Sequence, residues 1–396
     1  MNKLYCRAYQ KVMKVASGVL DWSEPTLLKG PGSVLELPAL IKSLGIQRVL
    51  LVTDKGLMGI GLPVPLIKKL EETGIACAVY QDTNANPTLN NIAEARKLFT
   101  EANCEAVIAF GGGSPMDCAK GVCIRVAYPN MKPKGLKITL MRKLPLLFAV
   151  PTTAGTGSEV TIAAVFTNAE THEKNALMTP KVRPKYAALD PALTVGLPPH
   201  ITSTTGMDAL THAVEAYIGK SNTKLSAQKA RDATRIIFYY LERAYKDGKD
   251  IEAREQMLQA SYDAGMAFTR AYVGYVHAIA HNLGGMYGIP HGLANAIILP
   301  HVLDFYGAAA HARLADLYDL AGLTGAQSTS EKAEAFIQAI KDMNERMNIP
   351  NRLDCVKEED IPLIAERALL EGNPLYPVPV IINQAQCEAL IRSMMK

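Results

Sequence analysis

Tryptophan occurs once in the 396 residues, and aromatics together make up 6%. A nucleic-acid groove lined with stacking rings and basic side chains has little to be built from. Charge of one sign is equally scarce: Lys and Arg number 42 against 38 Asp and Glu, a net of +4, and the longest basic clusters are pairs such as Lys68-Lys69. A nucleic-acid footprint would instead show clustered Lys and Arg. Long apolar runs are missing as well. The most apolar stretch of the first half, residues 144–150, is far shorter than the ~20 residues a membrane helix needs. No charged segment leads into an apolar core at the start, so no secretory signal is expected. The seven cysteines form no CxxC and no even-numbered framework, which points to free thiols in a reducing compartment. No internal repeat is visible, which argues against a solenoid. The expectation is a cytoplasmic protein with no nucleic-acid partner and no membrane partner.

What is present describes an ordinary globular chain. Hydrophobic residues make up 48% and charged residues 20%, which excludes intrinsic disorder. The first half alternates short apolar runs with helix-period segments. Arg48-Val49-Leu50-Leu51-Val52, Ala76-Cys77-Ala78-Val79-Tyr80, Ala106-Val107-Ile108-Ala109-Phe110 and Leu146-Leu147-Phe148-Ala149-Val150 read as strands, with further strand-like runs at 160–166 and 186–189. Strands separated by helices imply a parallel sheet covered on both faces. From Ile201 onward the period is almost wholly helical. The expected architecture is an α/β dinucleotide-binding domain over residues 1–197 and an all-helical domain over 198–396.

Two constellations carry chemistry. After the third strand comes Gly111-Gly112-Gly113-Ser114-Pro115-Met116-Asp117. Ser114 reads as an N-cap, Pro115 as the first helical residue, and Asp117 as the partner in a capping box. Glycines leading into a helix N-terminus suit a pyrophosphate, because unpaired N–H groups and the positive dipole end face it. The sequence departs from G-x-G-x-x-G, so a bare glycine turn stays open. A second glycine- and hydroxyl-rich run, Pro151-Thr152-Thr153-Ala154-Gly155-Thr156-Gly157-Ser158-Glu159, follows the fourth strand and adds donors to the same crevice. Asp54, ending the first strand, either accepts from a ribose, which favours NAD over NADP, or caps a helix or turn.

The second constellation is imidazole. His277 and His281 lie at i and i+4, as do Asp208 and His212, and His291 follows in Pro290-His291-Gly292. Such pairs share one helix face, so two helices can close around one ion. Carboxylate with imidazole suits zinc or ferrous iron better than magnesium or calcium. The alternative is a set of hydrogen-bonded core histidines.

Through these residues, with Thr161, Gly206-Met207-Asp208 and Gly274-Tyr275-Val276-His277, the chain resembles the iron-containing (group III) alcohol dehydrogenase family over nearly its whole length. The resemblance implies the two-domain plan shared with dehydroquinate synthases and glycerol dehydrogenases, with the active site in the cleft between domains. It implies that Asp208, His212, His277 and His291 hold Fe(2+), or Zn(2+), and that His281 is the non-ligating histidine beside substrate and nicotinamide. It also implies NAD(H) contacts at Asp54, Asn86, Gly112, Gly113, Ser114, Asp117, Thr152, Thr153, Thr161 and Lys174. The implied reaction interconverts a small primary alcohol or diol and NAD with an aldehyde and NADH, in a homodimer. A dehydroquinate synthase-like lyase or a glycerol dehydrogenase-like enzyme is the nearest rival on this plan. A metal-stabilised nucleotide-binding scaffold is the rival without catalysis. Basic residues are sparse near the proposed ligands between Asp208 and His291, which favours a small, weakly charged substrate.

Overall fold

Nine strands are named here in chain order: β1 Thr26–Lys29, β2 Arg48–Val52, β3 Ala76–Tyr80, β4 Ala106–Gly111, β5 Gly135–Leu136, β6 Leu146–Pro151, β7 Ala163–Thr167, β8 Lys174–Met178 and β9 Tyr186–Leu189. The computed structural model describes residues 2–18, 22–131, 135–136, 142–167 and 174–395, with the backbone alone at 135–136 and 174–175. Two compact units divide the chain: residues 21–196, and residues 197–396 together with 1–20.

In the first unit, six strands form a sheet in the order β1-β9-β6-β4-β2-β3, every pairing parallel. Side chains alternate across a strand. Leu50, Val52, Val107, Ala109, Leu147 and Ala149 therefore join one buried cluster, while Val49, Leu51, Ile108, Phe110, Phe148 and Val150 join the other. Uninterrupted apolar runs are required because both faces are buried, and each large apolar side chain so buried contributes about 1.5–3 kcal/mol. The strand-like run at 160–166 corresponds to β7, which pairs antiparallel with β8 in a separate three-stranded sheet rather than extending the parallel one. β1 and β8 were not legible as strands. β1 is a four-residue edge strand with both end residues exposed, so it shows no apolar run.

Register positions the candidate site. Gly111 at the end of β4 is paired with Pro151 at the end of β6, and Thr152 N–H donates to the Gly111 carbonyl at 3.1 Å. The glycine turn and the hydroxyl-rich loop thus leave the carboxyl ends of adjacent parallel strands, where ligands of such sheets bind.

The second unit is helical. The segments Pro199–Ile218, Lys224–Lys246, Ile251–Ala271, Tyr275–Tyr287 and His291–Tyr306 follow one another with short connections. Capping boxes start three of its described helices: Thr223 with Ser226, Ser328 with Glu331, and Asn383 with Gln386. The helix Lys3–Ser17 packs in this unit, although the sequence reading placed it with residues 1–197. Its polar side chains make the attachment: the Gln10 amide donates to the carbonyls of Pro374 and Tyr376 at 3.1 and 2.7 Å, and Arg7 donates to that of Pro379 at 2.9 Å. Among the described residues no helix is long and apolar enough to cross a membrane, and no disulfide joins any cysteine.

Candidate metal centre and dinucleotide turn

The helix Pro199–Ile218 carries Asp208, His212 and Glu215 at i, i+4 and i+7, all buried. The helix starting at His291 approaches this one closely. A Cβ at Gly292 would lie 2.4 Å from the Thr204 carbonyl oxygen and 3.5 Å from Asp208 Cβ, so only glycine permits the approach. The helix Tyr275–Tyr287 contributes His277 and His281.

One donor atom from each of Asp208, His277 and His291 lies within 4.8 Å of the other two. The Asp208 Oδ1 is 3.8 Å from His277 Nε2 and 3.6 Å from His291 Nε2. His212 is adjacent without joining that group. Its ring stacks on His277 with centroids 4.4 Å apart and on Phe268 at 4.1 Å. His281 stands at the edge, its ring stacked on His291 at 5.0 Å.

Three partners were not singled out from the sequence. Glu215, 4% exposed, faces His277 Nδ1 at 2.7 Å and accepts from the N–H groups of Gly274 and Val276 at 2.9 and 2.8 Å. Carboxylates only accept, so the neutral His277 ring carries its hydrogen on Nδ1 and presents the Nε2 lone pair to the cluster. Burial opposes a charged imidazole there, but the hydrogen bond and charge of Glu215, with Asp208 and Glu371 behind it, leave the His277 pKa above the ordinary histidine value. Glu371 plays the corresponding part for His281, whose Nδ1 it meets at 2.7 Å, while Tyr376 donates to the same carboxylate oxygen at 2.9 Å. The third partner is Asn295, fully buried. Its amide nitrogen lies 2.6 Å from Asp208 Oδ1, 3.1 Å from His277 Nε2 and 3.2 Å from His291 Nε2, and its Oδ1 has no partner. Three acceptor atoms therefore converge on one buried point. Their types, one carboxylate oxygen and two imidazole nitrogens, fit iron or zinc. Glu215 and Asn295 had a local signal, since they continue the spacing of Asp208–His212 and follow His291 by one helical turn; Glu371 had none.

The glycine turn differs from its sequence reading at the cap. The helix spans Gly113–Ala127 with Gly112 as N-cap, and no side chain caps it. Ser114 lies inside the first turn, where its Oγ accepts from Asn86 N–H at 3.3 Å. Asp117 accepts from Ser158 Oγ at 3.4 Å instead of closing a capping box. The neighbouring loop packs over this start. A Cβ on Gly112 would lie 3.2 Å from Thr153 Oγ1, and one on Gly113 would lie 3.0 Å from Thr156 Cγ2. Gly111, at φ +151°, has the Pro115 ring 2.5 Å from where its Cβ would be. A helix N-terminus without a side-chain cap keeps backbone donors for an anion.

The other expected dinucleotide residues lie in the same unit as this turn. Asp54 Oδ1 caps the short helix Lys55–Gly59 by accepting from Leu57 N–H at 2.9 Å. Asn86 holds a left-handed conformation at φ 74°. Thr152 is buried, and Thr161 Oγ1 accepts from Lys120 Nζ at 2.8 Å. Lys174 begins β8, but its side chain lies outside the described residues.

Known proteins resemble the chain over most of its length. A family model described as iron-containing alcohol dehydrogenase matches residues 25–191, and one described as Fe-containing alcohol dehydrogenase family, C-terminal, matches residues 202–395. The 1,3-propanediol dehydrogenase of Klebsiella pneumoniae is 40% identical over 371 residues, covering 92% of this chain and 95% of that protein. A crystal structure of a 1,3-propanediol oxidoreductase has a TM-score of 0.90 at 39% identity, covering 95% of this chain and 100% of that one. A sulfoacetaldehyde reductase from Bifidobacterium kashiwanohense, solved in complex with NAD+, has a TM-score of 0.83 at 29% identity, covering 95% of this chain and 98% of that one.

Proposed function

The chain belongs to the iron-containing alcohol dehydrogenase family, and from that premise we propose that it interconverts small primary alcohols or diols with their aldehydes at the Asp208–His277–His291 centre, using NAD(H). It is a metal-dependent, NAD-linked alcohol oxidoreductase. The observation that carries the site is the convergence of three acceptor atoms within 4.8 Å, those of Asp208 and His277 buried and that of His291 half-buried. Asp208, His277 and His291, joined by His212, are the residues to hold the cation. Bound there, a divalent ion supplies a Lewis acid for the oxygen of an alcohol or aldehyde. A nicotinamide dinucleotide on the Gly112-Gly113-Ser114 turn supplies the hydride acceptor or donor.

The chain's own groups do the rest. Glu215 holds His277 in the tautomer whose Nε2 faces the centre. Glu371 holds His281 by Nδ1, so that Nε2 is the atom that takes the alcohol proton during oxidation and returns it during reduction. Glycines 112 and 113 keep the turn bare of side chains for a pyrophosphate, and Thr152 and Thr153 border it. Asp54 keeps Oδ2 for ribose hydroxyls and disfavours a 2′-phosphate by charge. The finer reading is iron rather than zinc, a homodimer, and a cytoplasmic setting. The sequence resemblance supports a diol such as propanediol as substrate, as does the 40% identity to a propanediol dehydrogenase.

Elemental analysis of anaerobically purified protein, coupled to a panel of alcohols with NAD and NADP, tests this reading. The expected result is one divalent ion per chain, loss of that ion in His277→Ala, and NADH formation with small primary alcohols. Near-normal turnover in a metal-stripped preparation overturns it.

A further inference from the structure

Lys120 is a fully buried lysine in the middle of the helix Gly113–Ala127, and the reading of the site so far makes no use of it. An ammonium taken out of water is costly unless every N–H finds an acceptor. Here all three do: Ser158 Oγ at 3.0 Å, Thr161 Oγ1 at 2.8 Å and the Ala163 carbonyl at 2.8 Å. Each acceptor is neutral, and among the described residues Lys120 forms no ion pair. A second link runs in parallel, from Ser158 Oγ to Asp117 on the same helix at 3.4 Å.

The two segments so joined are the two that build the glycine turn. The loop after β6 packs Thr153 against Gly112 and Thr156 against Gly113, and the same loop ends in Ser158, Thr161 and Ala163. A methionine would fill the volume of Lys120 at a lower desolvation cost but would leave three buried oxygens without donors.

We propose that Lys120 is a positioning residue for the dinucleotide: its ammonium clamps residues 158–163 to the helix and so presets Thr153 and Thr156 on the uncapped turn. The inference rests on the reading that the dinucleotide lies on that turn. Burial pushes the Lys120 pKa down to about 8, and the charged groups facing it are Asp117 on its own helix and Glu159 on the loop. A neutral amine has two N–H groups for three acceptors, so the clamp loosens as pH rises through that value.

Dissociation constants for NADH, read by fluorescence on the full-length metal-loaded protein between pH 6.5 and 9.5, test the proposal. Wild-type affinity is expected to fall about three- to tenfold from the acid to the alkaline end, the loss of one buried hydrogen bond. Lys120→Met is expected to weaken NADH binding about tenfold at pH 7 and to flatten the pH series. KM for NAD should rise far more than kcat falls, with metal content unchanged. Gly113→Val separates the proposal from its premise. If that variant binds NADH normally, the turn is not the dinucleotide site. If it fails to bind while Lys120→Met binds like wild type, the role of Lys120 is refuted. Should Lys120→Met not fold, Lys120→Gln takes its place, and wild-type NADH affinity in that variant refutes the role.

Discussion

Replacing Glu215 with glutamine tests the metal centre without touching a proposed ligand. The carboxylate receives Gly274 N–H at 2.9 Å and faces His277 Nδ1 at 2.7 Å through Oε2, and it receives Val276 N–H at 2.8 Å through Oε1. Glutamine keeps the volume but offers one oxygen and one NH2. With the oxygen in place of Oε2, Val276 N–H meets a donor. With the oxygen in place of Oε1, both Gly274 N–H and the His277 ring meet a donor, and the ring escapes only by moving its hydrogen to Nε2. That move turns the atom facing Asp208 and His291 from acceptor into donor. Either way one buried N–H loses its acceptor, at about 1–3 kcal/mol. Loss of an outer-shell partner of a metal-binding histidine lowers metal affinity about 10–100-fold, equivalent to about 1.4–2.8 kcal/mol. In a unit of this size each kcal/mol lowers Tm by roughly 2–4 °C. Competitive chelator titration with ferrous iron and zinc, together with calorimetry, gives both quantities. Metal affinity within twofold of wild type in folded Glu215→Gln and Glu215→Ala proteins, the second of which offers Nδ1–H no acceptor, would refute the argument that this carboxylate selects the His277 tautomer.

Other consequences concern groups with separate roles. Asp54→Gly is expected to improve use of NADPH relative to NADH in a kcat/KM comparison, and it should also loosen the helix Lys55–Gly59 that Asp54 caps; an unchanged cofactor ratio removes Asp54 from the ribose site. His281→Ala is expected to retain metal and lower turnover, and loss of the ion from that variant would make His281 a ligand. Burial raises the Glu159 pKa from 4.5 to about 7, so the folded chain binds more protons than the unfolded one between those values. Its contribution to stability is therefore present below pH 4.5 and is lost as pH rises to about 7. Glu159→Gln should accordingly raise Tm at pH 8, by up to about 3 kcal/mol of stability, and change it little at pH 5; the reverse order counts against this reading.

How legible each part was in the sequence follows from how local its cause is. The core strands of the sheet were legible because a strand buried on both faces has to be apolar throughout, and residues 106–110 meet that condition without help from context. The helices of the candidate metal centre were legible for the same kind of reason, since Asp208–His212 and His277–His281 repeat at one helical turn. The helix cap was not. Ser114-Pro115-Met116-Asp117 satisfies a capping pattern, yet the helix starts earlier, at glycines on which Thr153 and Thr156 from another strand's loop pack closely. Lys120 carries no local signal for the same reason: its acceptors lie 38 to 43 residues downstream.

Sequence spacing thus identifies which residue types can meet, whereas tertiary neighbours decide which atom each one presents. His277 and His281 are one turn apart and chemically alike, and each is held at Nδ1 by a carboxylate, Glu215 for one and Glu371 for the other. What distinguishes them is what Nε2 then faces. For His277 it is Asp208, with the Asn295 amide between, in a fully buried setting; His281 is a fifth exposed. A buried lone pair aimed at a carboxylate oxygen calls for a cation to balance it, and a partly exposed ring can trade a proton with its surroundings. The proposed division between ligand and proton carrier therefore rests on burial and partner, not on position along the helix. Exchanging the partners tests it: Glu371→Gln should lower turnover with metal retained, whereas Glu215→Gln should release metal. Identical metal loss in both would mean that the two histidines are not separated in this way.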